Sequence, residues 1–141
     1  MIVPDLNLLV YAHNLDAPHH LAARAWWEDL LNGTEPVAIP WVVTLGFLRL
    51  MTHRTVLVSP MRPVDAVAQA RAWFARSNVE RLEPGPQHLD LLDRLLTAAG
   101  TAGNLTTDAH LAALAIEHQC ELHSNDTDFA RFPGLRWRNP L

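Results

Sequence analysis

The chain has 141 residues, of which 49% are hydrophobic, and it carries a formal net charge of −4. This length predicts a single domain over residues 1–141 with a sizeable core, and the charge excludes a global basic field that would attract nucleic acid or a membrane. All eleven basic residues are arginine, which excludes a P-loop lysine, a Schiff-base lysine and the lysine of a receiver-type phosphoacceptor site.

Cysteine content and hydropathy narrow the cellular setting. A single cysteine, Cys120, excludes an internal disulfide framework and a multi-cysteine zinc site. No apolar run approaches the roughly 18 residues expected of a membrane span, and the opening MIVPDLNLLV lacks the basic leader of a signal peptide. We therefore expect a cytoplasmic protein with no membrane partner.

The predicted elements alternate between strands and helices along the chain. The first half contains a strand over 1–4, a helix entered at Asp5, a helix from Pro18 to Gly33, a strand over 36–40 and a buried helix over 41–53. The second half contains a helix over 64–77, a strand and turn over 79–86, a helix over 88–100, a threonine-capped helix over 105–119, a strand over 120–124, a short helical turn over 126–132 and a last strand near 135–140.

Three of the helices have apolar residues at helical spacing that should face the core. These residues are Val67, Ala70 and Trp73 in the first helix, Leu89, Leu92, Leu95 and Leu96 in the second, and Leu111, Leu114 and Ala115 in the third. Strands separated by helices predict an α/β fold with a mostly parallel central sheet and helices on both faces.

Four aspartates occupy positions where such a sheet forms binding sites, at the carboxyl ends of its strands. Asp5 follows the first strand, Asp126 and Asp128 follow a later one, and Asp108 lies in the first turn of a helix. Each aspartate alone also fits a helix N-terminus or an Asx-turn.

A cluster of these carboxylates would need a cation. Two like charges about 4 Å apart repel by roughly 4 kcal/mol at an effective dielectric constant near 20. Hard oxygen ligands favour Mg²⁺, with Mn²⁺ as the alternative, and such an ion activates water for phosphodiester hydrolysis.

Two stretches, MIVPDLNLLVYA and TTDAHLAALAIEHQCELHSNDTDFARF, resemble the motifs of PIN domains, and the whole chain is similar to the VapC toxins of toxin–antitoxin pairs. The resemblance implies a PIN-like fold and a toxic Mg²⁺-dependent endoribonuclease, usually a homodimer, that cleaves RNA and is neutralised by a VapB-type antitoxin. It also implies catalytic roles for Asp5, Asp108, Asp126 and Asp128, with the metal bound by the first three.

The chain departs from the family pattern at the second acid, where the phrase TLGFLRL has Gly46 and where Arg49 matches the family arginine. This leaves the cluster one carboxylate short and favours a single Mg²⁺ on Asp5 and Asp108. Glu35 is a conceivable substitute. The departure also motivates the alternative interpretation, a non-catalytic PIN-like module that binds RNA or an antitoxin.

Basic and aromatic residues supply further candidates for RNA binding. Arg49, Arg54 and His110 are predicted to contact RNA phosphates, with a solvated helix end as the alternative for the two arginines. The tryptophans in helical patterns fit core or dimer packing better than base stacking. The eight histidines show no recognised zinc-ligand spacing.

Overall fold

The computed structural model describes all 141 residues, folded as a five-stranded sheet with six α-helices. The strands are β1 (Ile2–Pro4), β2 (Val37–Pro40), β3 (Val79–Leu82), β4 (Glu121–His123) and β5 (Trp137–Arg138). The helices are α1 (Leu6–His13), α2 (His20–Asn32), α3 (Trp41–Met51), α4 (Pro63–Phe74), α5 (His88–Ala99) and α6 (Thr106–Glu117), with 3₁₀ turns at Gly103–Leu105 and Thr127–Arg131. None of the helices combines the length and apolar character needed to cross a membrane.

The sheet has the strand order β3-β2-β1-β4-β5, and every neighbouring pair is parallel. The chain builds outward from β1 to β3 and then crosses back to β4, so the strand order reverses between β1 and β4. Right-handed crossovers then place α1–α4 on one face and α5–α6 on the other, in agreement with the packing of α1 on α2 and α3, α3 on α4, and α5 on α6. The predicted parallel α/β architecture is confirmed.

The core on the α1–α4 face is aromatic. Trp73 packs edge-on against Phe47 at 4.5 Å and against Trp27 at 5.6 Å between ring centroids, and all three rings are buried. Core packing is thus confirmed for Trp27 and Trp73, whereas Trp41 is 48% exposed. The sequence pattern of helical tryptophans did not distinguish the two environments.

Several local predictions need correction. Helix α2 begins at His20, two residues after Pro18. The threonine cap of α6 is wrong, because the turn Gly103–Leu105 runs straight into the helix and no side chain caps it. Leu89 and Val67 are exposed, because the buried faces of their helices are formed by His88, Leu91 and Leu95 in α5 and by Ala66, Ala70 and Trp73 in α4.

Candidate functional site

Asp5 links the first strand to the first helix at the carboxyl edge of the sheet. Strand β1 ends at Pro4, and the extended backbone of Asp5 makes it the N-cap of α1, where its Oδ1 accepts the Leu6 N–H at 2.7 Å. The Asp5 N–H donates to the His123 carbonyl at 2.9 Å, which ties it to the end of the neighbouring strand β4. The carboxylate is therefore fixed at the point where the strand order reverses, the usual ligand position in such sheets.

Ser124 connects the elements of this site through one hydroxyl group. Its fully buried Oγ donates to Asp5 Oδ2 at 2.7 Å and accepts from Asn7 Nδ2 at 3.1 Å and from the Asp126 N–H at 2.9 Å. All the hydrogen-bonding capacity of a hydroxyl is thereby used. The sequence interpretation missed this residue, which it placed at the end of the predicted strand over 120–124.

Asp126 and Asp128 lie on the 3₁₀ turn that follows β4. Asp126 is the N-cap of that turn, and its Oδ1 accepts the Asp128 N–H at 2.8 Å. Phe129 and Phe132 are buried beneath the turn with their ring centroids 6.1 Å apart. The Asx-type capping role is therefore real, and the anchored turn also holds two carboxylates beside the sheet edge.

Asp108, in the first turn of α6, completes the acidic cluster. Burial raises its pKa to about 6, with further contributions from the negative charges of Asp5, Asp126 and Asp128. Burial also raises the pKa of Asp5, against the lowering effect of the hydrogen bonds from Ser124 and Leu6. Asp5, Asp126 and Asp128 thus lie close enough for their charges to act on Asp108.

No cation of the protein compensates this cluster. None of the four aspartates pairs with an arginine or the N-terminal amine, as Asp65, Glu28 and Glu35 do, or with a histidine, as Glu117 and Glu121 do. The oxygen donors and their unneutralised charge suit a hard divalent cation. However, no three His, Cys, Asp or Glu side chains are drawn together as a preformed metal shell. The chemistry of the donors fits a metal, and the shell would have to close around it.

Gly46 lies beside this site, on the buried side of α3. A Cβ atom built on Gly46 would approach the Leu6 Cδ2 atom to 2.5 Å, so the space next to the glycine is filled by the side chain that follows Asp5. Glu35 does not substitute for the absent acid. It precedes β2, at the opposite edge of the sheet, and pairs with the N-terminal amine at 2.7 Å.

The three predicted RNA-binding residues occupy different places. Arg49 is exposed in the last turn of α3, and Arg54 is exposed in the turn that follows. His110 shares a 2.7 Å hydrogen bond with His88, whose other ring nitrogen lies 2.9 Å from Glu117. Burial and the neighbouring His88 lower the pKa of His110, so its ring is neutral at pH 7. A phosphate contact by any of the three stays a prediction.

Comparisons with known proteins identify the family. The PIN domain pattern matches residues 2–135. The chain is 48% identical to Ribonuclease VapC33 of Mycobacterium tuberculosis over 141 residues, covering 100% of this chain and 99% of that protein, and 40% identical to its Ribonuclease VapC37, covering 99% and 97%. Its fold matches a chain of the DNA-bound VapBC2 structure from Rickettsia felis, with a TM-score of 0.70, 22% identity and coverage of 99% and 98%. The chain therefore belongs to the PIN-domain family, in its VapC branch.

Proposed function

We propose that this chain is a divalent-metal-dependent endoribonuclease and the toxin of a toxin–antitoxin pair. The observation that carries the proposal is the convergence of Asp5, Asp108, Asp126 and Asp128 at the strand-order reversal, without a cationic partner from the protein. A partly buried cluster of like charges costs folding free energy unless a cation binds it. Similarity over the full length to proteins named as ribonucleases supports RNA as the substrate.

Each aspartate has a distinct part in the proposed mechanism. Asp5 and Asp108 hold the metal, Asp126 completes or tunes its shell, and Asp128 orients water or the neighbouring carboxylate. Mg²⁺, with Mn²⁺ as the alternative, would supply an activated water and neutralise charge developing on the phosphodiester. The Ser124 hydroxyl holds Asp5 and the Asp126 backbone in fixed relation to each other. This preorganises the carboxylates before the substrate binds.

The partner of the proposed toxin is a VapB-type antitoxin. Solved relatives with the same fold are toxin–antitoxin assemblies from several bacteria, including the VapBC complexes of Rickettsia felis and Salmonella typhimurium. A homodimer is proposed on the same family grounds. Co-expression with the gene immediately upstream tests the partner: the product should co-purify with this chain and suppress its cleavage of RNA.

The central experiment replaces the two metal-holding aspartates. Asp5→Asn and Asp108→Asn should each reduce Mg²⁺-dependent cleavage of purified RNA by at least 100-fold, because each removes a negatively charged metal ligand. Asparagine remains a good helix N-cap, so Asp5→Asn should keep α1 and the circular dichroism spectrum. Asp29→Asn, on the exposed face of α2, is the matched control. Full activity in either site variant, or cleavage that persists in EDTA, would overturn the assignment.

A second candidate function is favoured by Gly46 and Leu6. With a side chain packed where the family has its second acid, the domain could bind RNA or an antitoxin without cutting. The same assay separates the candidates: RNA binding by the wild-type protein, without cleavage at any Mg²⁺ or Mn²⁺ concentration, would establish the non-catalytic module. A metal-dependent cut that is lost in Asp5→Asn would exclude it.

A further inference from the structure

Asn7 carries an unpaired hydrogen-bond acceptor beside the acidic cluster, and the inference drawn from it rests on the proposed metal site. Four buried side-chain atoms have no hydrogen-bond partner within the protein, namely Asn7 Oδ1, Trp27 Nε1, Trp73 Nε1 and Glu117 Oε1. The two indoles belong to the aromatic core, and Glu117 lies at the far end of α6. Only Asn7 lies on the helix that Asp5 caps. Buried polar atoms in folded proteins are nearly always paired, so this acceptor calls for a donor.

The orientation of the Asn7 amide follows from its neighbour Ser124. The Asn7 Nδ2 atom lies 3.1 Å from Ser124 Oγ, and that hydroxyl lies 2.7 Å from Asp5 Oδ2. Because a carboxylate oxygen only accepts, the single hydroxyl proton is donated to Asp5, and Ser124 can only accept from the amide. The amide therefore turns its N–H₂ group toward Ser124 and its carbonyl oxygen elsewhere. A flipped amide would set two acceptors against each other.

A hydrated cation at Asp5 would supply the donor that Asn7 Oδ1 lacks. Mg²⁺ in protein sites usually keeps several of its waters, and each of these waters has protons to donate. The Asn7 amide is linked to the Asp5 carboxylate through one hydroxyl group, which places it next to any ion that Asp5 holds. The amide is neutral, so it does not add to the repulsion within the cluster as a further carboxylate would.

We propose that Asn7 is a positioning residue for the metal site: its Oδ1 atom accepts a hydrogen bond from a water molecule bound to the cation that Asp5 holds. Through Nδ2, the same side chain keeps Ser124, and with it Asp5 and the Asp126 backbone, in place. The two ends of one amide thus fix a carboxylate ligand and a water of the same ion. With Gly46 in place of the second acid, more coordination positions are left to water, which gives this contact more weight.

The test measures Mn²⁺ binding by the full-length protein, without RNA, from the electron paramagnetic resonance signal of the free ion. Asn7→Ala should weaken Mn²⁺ binding about tenfold, as is usual when a group that holds a metal's ligands is removed. Alanine suits a helix, so the circular dichroism spectrum should not change. Asn14→Ala is the matched control, since Asn14 lies at the other end of α1 and its Oδ1 accepts the Asp16 N–H at 3.1 Å. It should leave Mn²⁺ affinity unchanged.

A second comparison separates the two ends of the Asn7 amide. Ser124→Ala removes the group that Nδ2 contacts, so Asn7 cannot act through Ser124 in that background. Adding Asn7→Ala to Ser124→Ala should weaken Mn²⁺ binding by a further factor of about ten, because the acceptor at Oδ1 is then lost as well. If the double variant binds Mn²⁺ as well as Ser124→Ala does, Asn7 acts only by holding Ser124, and the proposal fails.

The remaining outcomes distinguish this proposal from the proposed function. Equal Mn²⁺ affinity in Asn7→Ala and wild type would mean that an ordinary water pairs with Oδ1, which would overturn the positioning role and leave the enzyme standing. Wild-type protein that binds no Mn²⁺ would overturn both. Mn²⁺ binding that Asn7→Ala weakens, in a protein that cleaves no RNA, would overturn the enzyme and leave the positioning role standing.

Discussion

Helix α6 carries a buried carboxylate, Glu117, at one end and a half-buried one, Asp108, at the other, and the two have opposite surroundings. Glu117, the last residue of the helix, accepts hydrogen bonds from the Gly85 N–H at 3.2 Å and from His88 Nδ1 at 2.9 Å. Asp108, in the first turn, has no ion-pair partner, and the charges that act on it are those of three other aspartates. One end is hydrogen-bonded by the protein, and the other has no ion-pair partner.

The helix dipole alone predicts that Glu117, at the C-terminus of α6, needs a stabilising partner more than Asp108 does at the N-terminus. A negative charge is stabilised at a helix N-terminus and destabilised at a C-terminus, typically by 0.3–1 kcal/mol. Glu117 therefore needs His88, whereas Asp108 has favourable dipole energy that its acidic neighbours offset. The difference teaches that shielded charge alone does not mark a functional site in this fold. Charge without a partner, at the edge where the strand order reverses, is the informative feature.

Removing the Glu117 carboxylate should give the largest change in stability. Glu117→Ala leaves the Gly85 N–H and the buried His88 without their acceptor, so we expect a loss of about 3 kcal/mol in the free energy of unfolding. Urea unfolding measures it. Cleavage by the folded fraction should persist, because Glu117 lies at the opposite end of α6 from Asp108.

An exposed ion pair provides the control for this variant. Arg24 and Glu28 are paired at 2.7 Å, with both side chains more than half exposed, so Glu28→Ala should cost less than about 1 kcal/mol. If both variants lose the same free energy, the network around Glu117 has no special structural role, and the comparison of the two helix ends fails.

Ser124→Ala should change the positions of the aspartates at the acidic cluster without changing their charge. The Asn7 amide and the Asp126 N–H would lose their acceptor, and Asp5 would lose a hydrogen-bond donor. We expect a loss of about 2 kcal/mol in stability and a fall of at least tenfold in kcat for RNA cleavage. Ser124→Thr, which keeps the hydroxyl, should restore most of the activity. Equal activity in the alanine variant would show that the aspartates need no such anchor.

The sequence predicted the aspartates and missed their connector for one physical reason. Parallel strands bring their carboxyl ends to one edge, so Asp5 and Asp126 could be placed from strand positions alone. The role of Ser124 depends on the register of β1 on β4, with Pro4 opposite His123, which no local pattern encodes. The same holds for the exposure of Trp41, and for Leu6 beside Gly46, because each is set by packing between elements distant in sequence.

The smallest predicted effect concerns the pH dependence of stability at the charged end of α6. Folding raises the Asp108 pKa to about 6 from its ordinary value of 3.8, so the folded state binds that proton more tightly than the unfolded chain does. Asp108 therefore contributes stability at low pH that is lost as the pH rises from about 4 to about 6. The side chain of the Asp108→Asn variant cannot ionise. In EDTA at pH 7.5, the free energy of unfolding of this variant should therefore exceed that of wild type by about 1 kcal/mol.

Two further conditions of the same thermal-unfolding measurement sharpen this prediction. At pH 4 most of the advantage of Asp108→Asn should vanish, because the wild-type carboxyl group is then largely protonated. Mg²⁺ at pH 7.5 should raise the melting temperature of wild type more than that of Asp108→Asn, because only wild type keeps the full charge of the cluster. A variant that is less stable than wild type in EDTA at pH 7.5 would mean that the helix dipole outweighs the repulsion from the other aspartates. The two ends of α6 would then differ in their partners, but the charge on Asp108 would not destabilise the folded protein.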